Sequence, residues 1–223
     1  MSKTPWTLVI ANKAYSSWSL RPWLVLKQAG IPFEEVRIPL HQPDTAEKIA
    51  RYSQSGRVPV LVEGSLAVWE SLSICEYIAD CYPEKKLWPE DRQARAVARS
   101  VSHEMHAGFQ ALRQNMPMNA RKHYPGQGLT AEVGEDILRI SDLWRQCREK
   151  YGSEGEFLFG RFSIADAMYA PVCVRFTAYE PPLDETARAY VRTLMNLPAL
   201  QDWVKAARAE KEVIAKYEKE AAV

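Results

Sequence analysis

The residues best placed to do chemistry lie at a junction. YSSWSLR (15–21) follows the apolar run WTLVIA (6–11) and opens a helix-like stretch that ends at Gly30. Three serines and a tyrosine crowd a turn that needs one capping residue. Pro22 belongs in a first helical turn, so Ser17 or Ser19 is the expected N-cap. The remaining hydroxyls, with the free N–H groups of a helix start, would favour an anion. A free thiol has a pKa of about 8.5, and two units of depression correspond to about 2.7 kcal/mol. One hydroxyl hydrogen bond plus a helix N-terminus is enough to supply that. The plainer alternative is one cap and two solvated serines.

Two further places carry similar potential. In GRVPVLVE (56–63) Pro59 opens an apolar run, where a cis bond would present the Val58 main chain outward. In VWESLSI (68–74) Glu70 and Ser71 sit at a strand-to-helix junction. Ser71 could hold a carboxylate and Glu70 an ammonium, together gripping the amino-acid end of a ligand. Strand initiation and helix capping account for the same residues more simply. His103 and His106 are three apart, but HEMH lacks the i, i+4 spacing of a zinc helix and a third ligand, so no metal is assigned.

The elements that must position these groups follow from periodicity. Strands are expected at 6–11, 33–38, 58–63 and 66–69, the last two a hairpin around Glu63-Gly64-Ser65. Helices are expected from the 17–19 region to Gly30, over 45–52 and over 71–82. PEKKLWPED (83–91) reads as a connecting segment. Beyond it, 91–116, 130–151, 163–177, 186–195 and 199–217 show helical spacing and no strand pattern. The fold class is therefore α/β plus all-α: a βαβ-α-ββα domain over 1–83, a linker at 84–90 and a helical domain over 91–223. Trp23, Trp69, Trp144 and Trp203 are expected as core anchors, and the tail KAARAEKEVIAKYEKE (205–220) as a solvated face.

The 223 residues carry 29 Lys+Arg against 28 Asp+Glu, a formal charge of +1, which gives no footprint for nucleic acid. No stretch approaches the roughly 18 apolar residues that span a bilayer. The four cysteines form no C-x-x-C, and the N-terminus has too short an apolar run for a signal peptide. The expectation is a cytoplasmic protein with reduced thiols and no membrane partner.

In this order the three motifs resemble the glutathione transferase family, and GRFSIADAMYAP (160–171) is similar to that family's G-x-x-S/T-x-A-D signature. The resemblance implies a thioredoxin-like N-terminal domain, a helical C-terminal domain, glutathione as cosubstrate and a homodimer. SSWSLR is most similar to the zeta-class SSCSxR. This implies Ser16 as the partner of the glutathione sulfur, Ser17 as the runner-up and Arg21 as a supporting charge. Val58, Pro59, Glu70 and Ser71 would bind glutathione, and Ser163 and Asp166 would serve folding. A small hydrophobic electrophile would lie among Trp18, His106 and Arg113, the last in AGFQALRQN (107–115), a segment also similar to the zeta class. Trp18 stands where zeta enzymes have cysteine, and Arg175 does not match their substrate-holding arginine. With no cysteine between the first strand and helix, mixed-disulfide chemistry is not implied. Two alternatives stand beside the transferase: a non-catalytic binding or interaction protein, and a glutathione-dependent isomerase of zeta type.

Overall fold

The computed structural model describes residues 6–219. Its four strands, β1 (Trp6–Ile10), β2 (Phe33–Arg37), β3 (Val60–Glu63) and β4 (Leu66–Trp69), form one sheet in the order β2-β1-β3-β4. β1 and β2 run parallel, joined by helix α1 (Ser17–Ala29), while β3 is antiparallel to both β1 and β4. Helix α2 (Thr45–Ala50) precedes the hairpin and α3 (Ser71–Cys81) follows it. This is the βαβ-α-ββα order expected from the pattern, in the thioredoxin-like arrangement that the resemblance implies.

Alternation within the strands divides the core in two. Leu8, Ile10 and Leu61 join a large cluster with α1, α3 and the helices beyond, whereas Val9 and Val60 pack with Ile38 and Ile49 on the opposite face. Six helices follow: α4 (Arg92–Ala107), α5 (Gln110–Asn115), α6 (Ala131–Tyr151), α7 (Ile164–Tyr179), α8 (Glu185–Met195) and α9 (Pro198–Ala209). α7 is buried along almost its whole length and packs against α1 and α4. Its start is fixed by the box read from sequence. Asp166, fully buried, accepts from the Ser163 N–H (2.8 Å), the Ser163 hydroxyl (2.9 Å), the Leu158 N–H (3.1 Å) and the Tyr190 hydroxyl (2.8 Å). Burial pushes its carboxyl up to about 6 against the pull of these donors, which leaves it ionised at neutral pH.

Several expectations are corrected. The N-cap of α1 is Ser16, not Ser17 or Ser19. The stretch 91–116 is two helices, because Arg113 donates to the Met105 and His106 carbonyls and so closes α4. Gly108 permits that turn: a Cβ there would stand 2.8 Å from the Glu104 carbonyl oxygen. Leu87 and Trp88, in the connecting segment, are buried anchors. Trp23, Trp144 and Trp203 are core residues, but Trp69 is 43% exposed. The tail leaves the helix after Ala209 and is no solvated face, since Glu210 and Glu218 bond back to residues 13–15 and 119–124. Glu220 lies outside the described residues. Among the described residues no helix is long and apolar enough to cross a membrane.

Candidate functional site

The sheet register brings the three motifs together. Val9 pairs with Val60, and Val60 with Trp69. The end of β1, the start of β3 and the end of β4 therefore lie side by side, and the residues just outside them meet at one corner. Those residues are the hydroxyl loop after β1, the cis-bonded Val58-Pro59 before β3, and Glu70-Ser71 after β4.

A cavity of about 320 Å³ opens there, lined by Val58, Pro59, Glu70 and Ser71, with Arg57 at its rim and Trp18 and His106 facing them. Glu70 has φ 68° and ψ 124°, a backbone region that costs a non-glycine residue about 1–3 kcal/mol. It makes no side-chain capping bond, and its carboxylate lies 3.6 Å from His106 Nε2. Burial, followed by the nearby Arg21, holds His106 below its ordinary value while Glu70 pulls the other way. With the imidazole neutral at pH 7, Glu70 has no ion-pair partner among the described residues, and its side chain stands 47% exposed at the cavity. Ser71 is 1% exposed, and its hydroxyl has no hydrogen-bond partner. Simple helix capping therefore does not explain either residue. A buried hydroxyl without a partner costs about 1–3 kcal/mol, and here it lines an open cavity.

A second cavity, about 230 Å³, shares Trp18 and Val58 with the first. Ser16 and Ser17 line it, opposite Arg113, Arg175, Met118 and Tyr217. The hydroxyls of the two serines differ in what they already do. Ser16 Oγ accepts from the Ser19 N–H (3.3 Å) and donates to Ser19 Oγ (2.8 Å), which also accepts from the Ala11 N–H (3.1 Å). Ser17, the first residue of α1, has its proton uncommitted. Tyr15 is a structural residue: burial, reinforced by its bond to Glu218 (2.5 Å), pushes its phenol up to about 12.

Trp18 forms the partition between the cavities. Its ring carries the Arg21 guanidinium at 4.4 Å, the Arg113 guanidinium at 4.8 Å and the edge of His106 at 5.1 Å. Arg21 is 1% exposed, lies behind this ring and lines neither cavity. Burial, with Arg113 and Arg175 close by, pulls it well below its ordinary value. Of the residues expected around an electrophile, Trp18 and Arg113 line the second cavity and His106 only the first. Sequence reasoning set Arg175 aside and gave no role to Met118 or Tyr217, which the helical half brings in from three separate segments. Arg175 donates to the Met116 carbonyl (2.8 Å) and the Pro171 carbonyl (3.2 Å), and burial lowers it to about 10. Two arginines and no carboxylate line this chamber.

Residues 15–81 match the glutathione S-transferase N-terminal domain, and residues 127–206 match the glutathione S-transferase C-terminal domain. The chain belongs to the glutathione S-transferase family. It is 27% identical over 205 residues to glutathione S-transferase Z2 of Arabidopsis thaliana, covering 86% of this chain and 90% of that relative. It is 26% identical to a probable maleylacetoacetate isomerase of Caenorhabditis elegans, covering 82% and 85%. Its fold is similar to that of a glutathione transferase homologue from Burkholderia solved with bound glutathione, with TM-score 0.68, 26% identity and coverage of 93% and 100%. Ure2p in complex with glutathione shares the fold at TM-score 0.68 and 17% identity, covering 91% and 99%.

Proposed function

We propose that this family member binds glutathione in the Glu70–Ser71 cavity, activates its thiol beside the α1 hydroxyls and directs it at an electrophile in the second chamber. The observation that carries the reading is the buried Ser71 hydroxyl, which has no partner inside the protein and sits beside Glu70, a carboxylate on strained backbone. Those two residues suit the carboxylate and ammonium of a γ-glutamyl group. Val58 then offers main chain to the cysteinyl unit in the manner of an added strand. This arrangement carries the sulfur past Trp18 toward Ser16 and Ser17. The thiolate is the nucleophile, and the serine only donates a hydrogen bond to it.

Sequence position put Ser16 first, but the geometry favours Ser17. A Ser16 proton turned toward sulfur gives up its bond to Ser19 Oγ, worth about 1 kcal/mol, whereas Ser17 gives up nothing. Ser17→Ala is expected to return the bound thiol's pKa toward the free value with little loss of affinity. Ser16→Ala should lower stability by about 1 kcal/mol and leave that pKa nearly unchanged. Ultraviolet titration of thiolate in the complex reads both, and the opposite pattern would assign the sulfur to Ser16.

Acid should weaken binding through His106. Its folded value lies below the ordinary 6.5, so it is neutral at pH 7. It gains a proton only as pH falls past that lowered value. The imidazolium then competes with the ligand ammonium for Glu70. Calorimetric affinity for glutathione should be flat above about pH 6.5 and fall below it, and His106→Gln should remove most of the acid limb.

The chamber favours a second chemistry as well. Arg113 and Arg175 suit an electrophile that carries a carboxylate, a change from the purely hydrophobic one expected from sequence. On such a substrate the thiolate can add to a conjugated double bond, allow rotation about the resulting single bond and leave again. Glutathione is then regenerated, and the reaction is an isomerisation. Stoichiometry of thiol loss against substrate loss separates the two readings.

A further inference from the structure

The loop that carries the hydroxyls belongs by sequence to the thioredoxin-like half, where Asn12 holds Leu40 and the Lys13 ammonium pairs with Glu35. Yet the main chain of Lys13 and Ala14 and the Tyr15 hydroxyl are held from the helical half. Trp203 Nε1 donates to the Lys13 carbonyl at 2.9 Å. The Ala120 N–H donates to the Ala14 carbonyl at 2.9 Å. The Tyr15 hydroxyl donates to Glu218 at 2.5 Å and accepts from Arg121. The remaining two main-chain groups of Lys13 and Ala14, their N–H donors, both go to one carboxylate. Lys13 N donates to Glu210 Oε1 at 2.7 Å and Ala14 N to Glu210 Oε2 at 3.0 Å. Glu210 is drawn in from 196 positions away along the chain, and its side chain is 5% exposed. Arg37 Nη1 approaches the same carboxylate at 3.4 Å and screens its charge.

We propose that Glu210 is a positioning residue: its carboxylate clamps two successive amides and thereby sets where the Ser16 and Ser17 hydroxyls stand against the bound sulfur. Two N–H donors in sequence need two acceptor atoms at one fixed spacing, which a carboxylate supplies. A carboxamide cannot, because its NH₂ would face one of the donors. The ligand grip at Glu70 and Ser71 is built on other elements and does not depend on the clamp. Glu210 therefore governs thiol activation and not affinity. This inference rests on the glutathione reading for its consequence, though the clamp itself can be tested without any ligand.

The test uses the full chain with Glu210→Gln and Glu210→Asp, each checked for cooperative unfolding. In the free protein, hydrogen exchange of the Lys13 and Ala14 amides should rise about tenfold or more in both variants, with the β3 and α3 amides unchanged. Aspartate keeps the charge but is one methylene too short, so recovery of slow exchange by Asp alone would point to charge and overturn positioning. Unchanged exchange at both amides in Glu210→Gln would overturn it outright. With glutathione added, the bound thiol's pKa should move back toward the free value while Kd stays within about twofold. Affinity and pKa lost together would mean general damage to the site and would count against the proposal. If the wild type binds glutathione with an unshifted thiol, the thiol-activation reading falls, and the exchange data alone decide the clamp.

Discussion

Ser71→Ala is expected to weaken glutathione binding by about 10- to 100-fold, the equivalent of roughly 1.5–3 kcal/mol for a hydrogen bond to a charged group. It should do so without lowering stability. The usual cost of deleting a buried hydroxyl is the loss of its bond, and this one has none in the free protein. Removing it relieves an unpaid desolvation, so the unfolding midpoint should stay put or rise slightly. Calorimetry for binding and thermal melts for stability check the two halves. A variant that loses stability in proportion to affinity would show that the hydroxyl serves the fold, and the glutathione reading would lose its main support.

Asp166→Ala should have the opposite signature. Its carboxylate accepts four donors, and none of Leu158, Ser163 or Tyr190 can find water in its place, since all are buried. Deletion orphans the Tyr190 hydroxyl and the Ser163 and Leu158 amides around an emptied, fully buried position. The expected loss is about 3–5 kcal/mol, which for a chain of this length lowers the melting midpoint by about 10 °C. Asp166→Asn keeps one acceptor oxygen but turns an NH₂ toward donors, and should fall between. Residual folded protein should bind glutathione normally, because Asp166 lies in neither cavity. Denaturant melts with a binding measurement on the folded fraction test this.

The parts of the site legible in the sequence are those fixed by short-range rules. A proline at a strand start, a Glu-Ser pair at a strand-to-helix junction and a Ser-x-x-Asp box each announce their geometry within four residues. The sheet register then brings the first two together without help from elsewhere. Ser16 was harder. Ser16, Ser17 and Ser19 all satisfy the capping rule, and only the bond between Ser16 and Ser19 shows which one closes the helix. Trp69 was misplaced because an apolar pattern in a four-residue edge strand cannot say which face is covered. The α4–α5 break had one local mark, Gly108, but a lone glycine among helix formers does not by itself end a helix, and the side chain that closes this one, Arg113, arrives from five residues further on. Arg175, Tyr217 and Glu210 reach the site through tertiary return over long separations. Nothing local marks them, and mixed charge after residue 205 reads as solvated until its partners are known.

The dependence of residues 13–15 on Ala120, Trp203, Glu210 and Glu218 also sets an order of events during synthesis. Val58, Pro59, Glu70 and Ser71, the residues proposed to grip glutathione, have all been made once Ser71 is joined. No nascent chain can finish the hydroxyl loop until residue 218 has left the ribosome. At translation rates of about 5–20 residues per second, roughly seven to thirty seconds separate those moments. A growing chain thus acquires the residues of the first cavity well before it can fix the shape of the hydroxyl loop beside it.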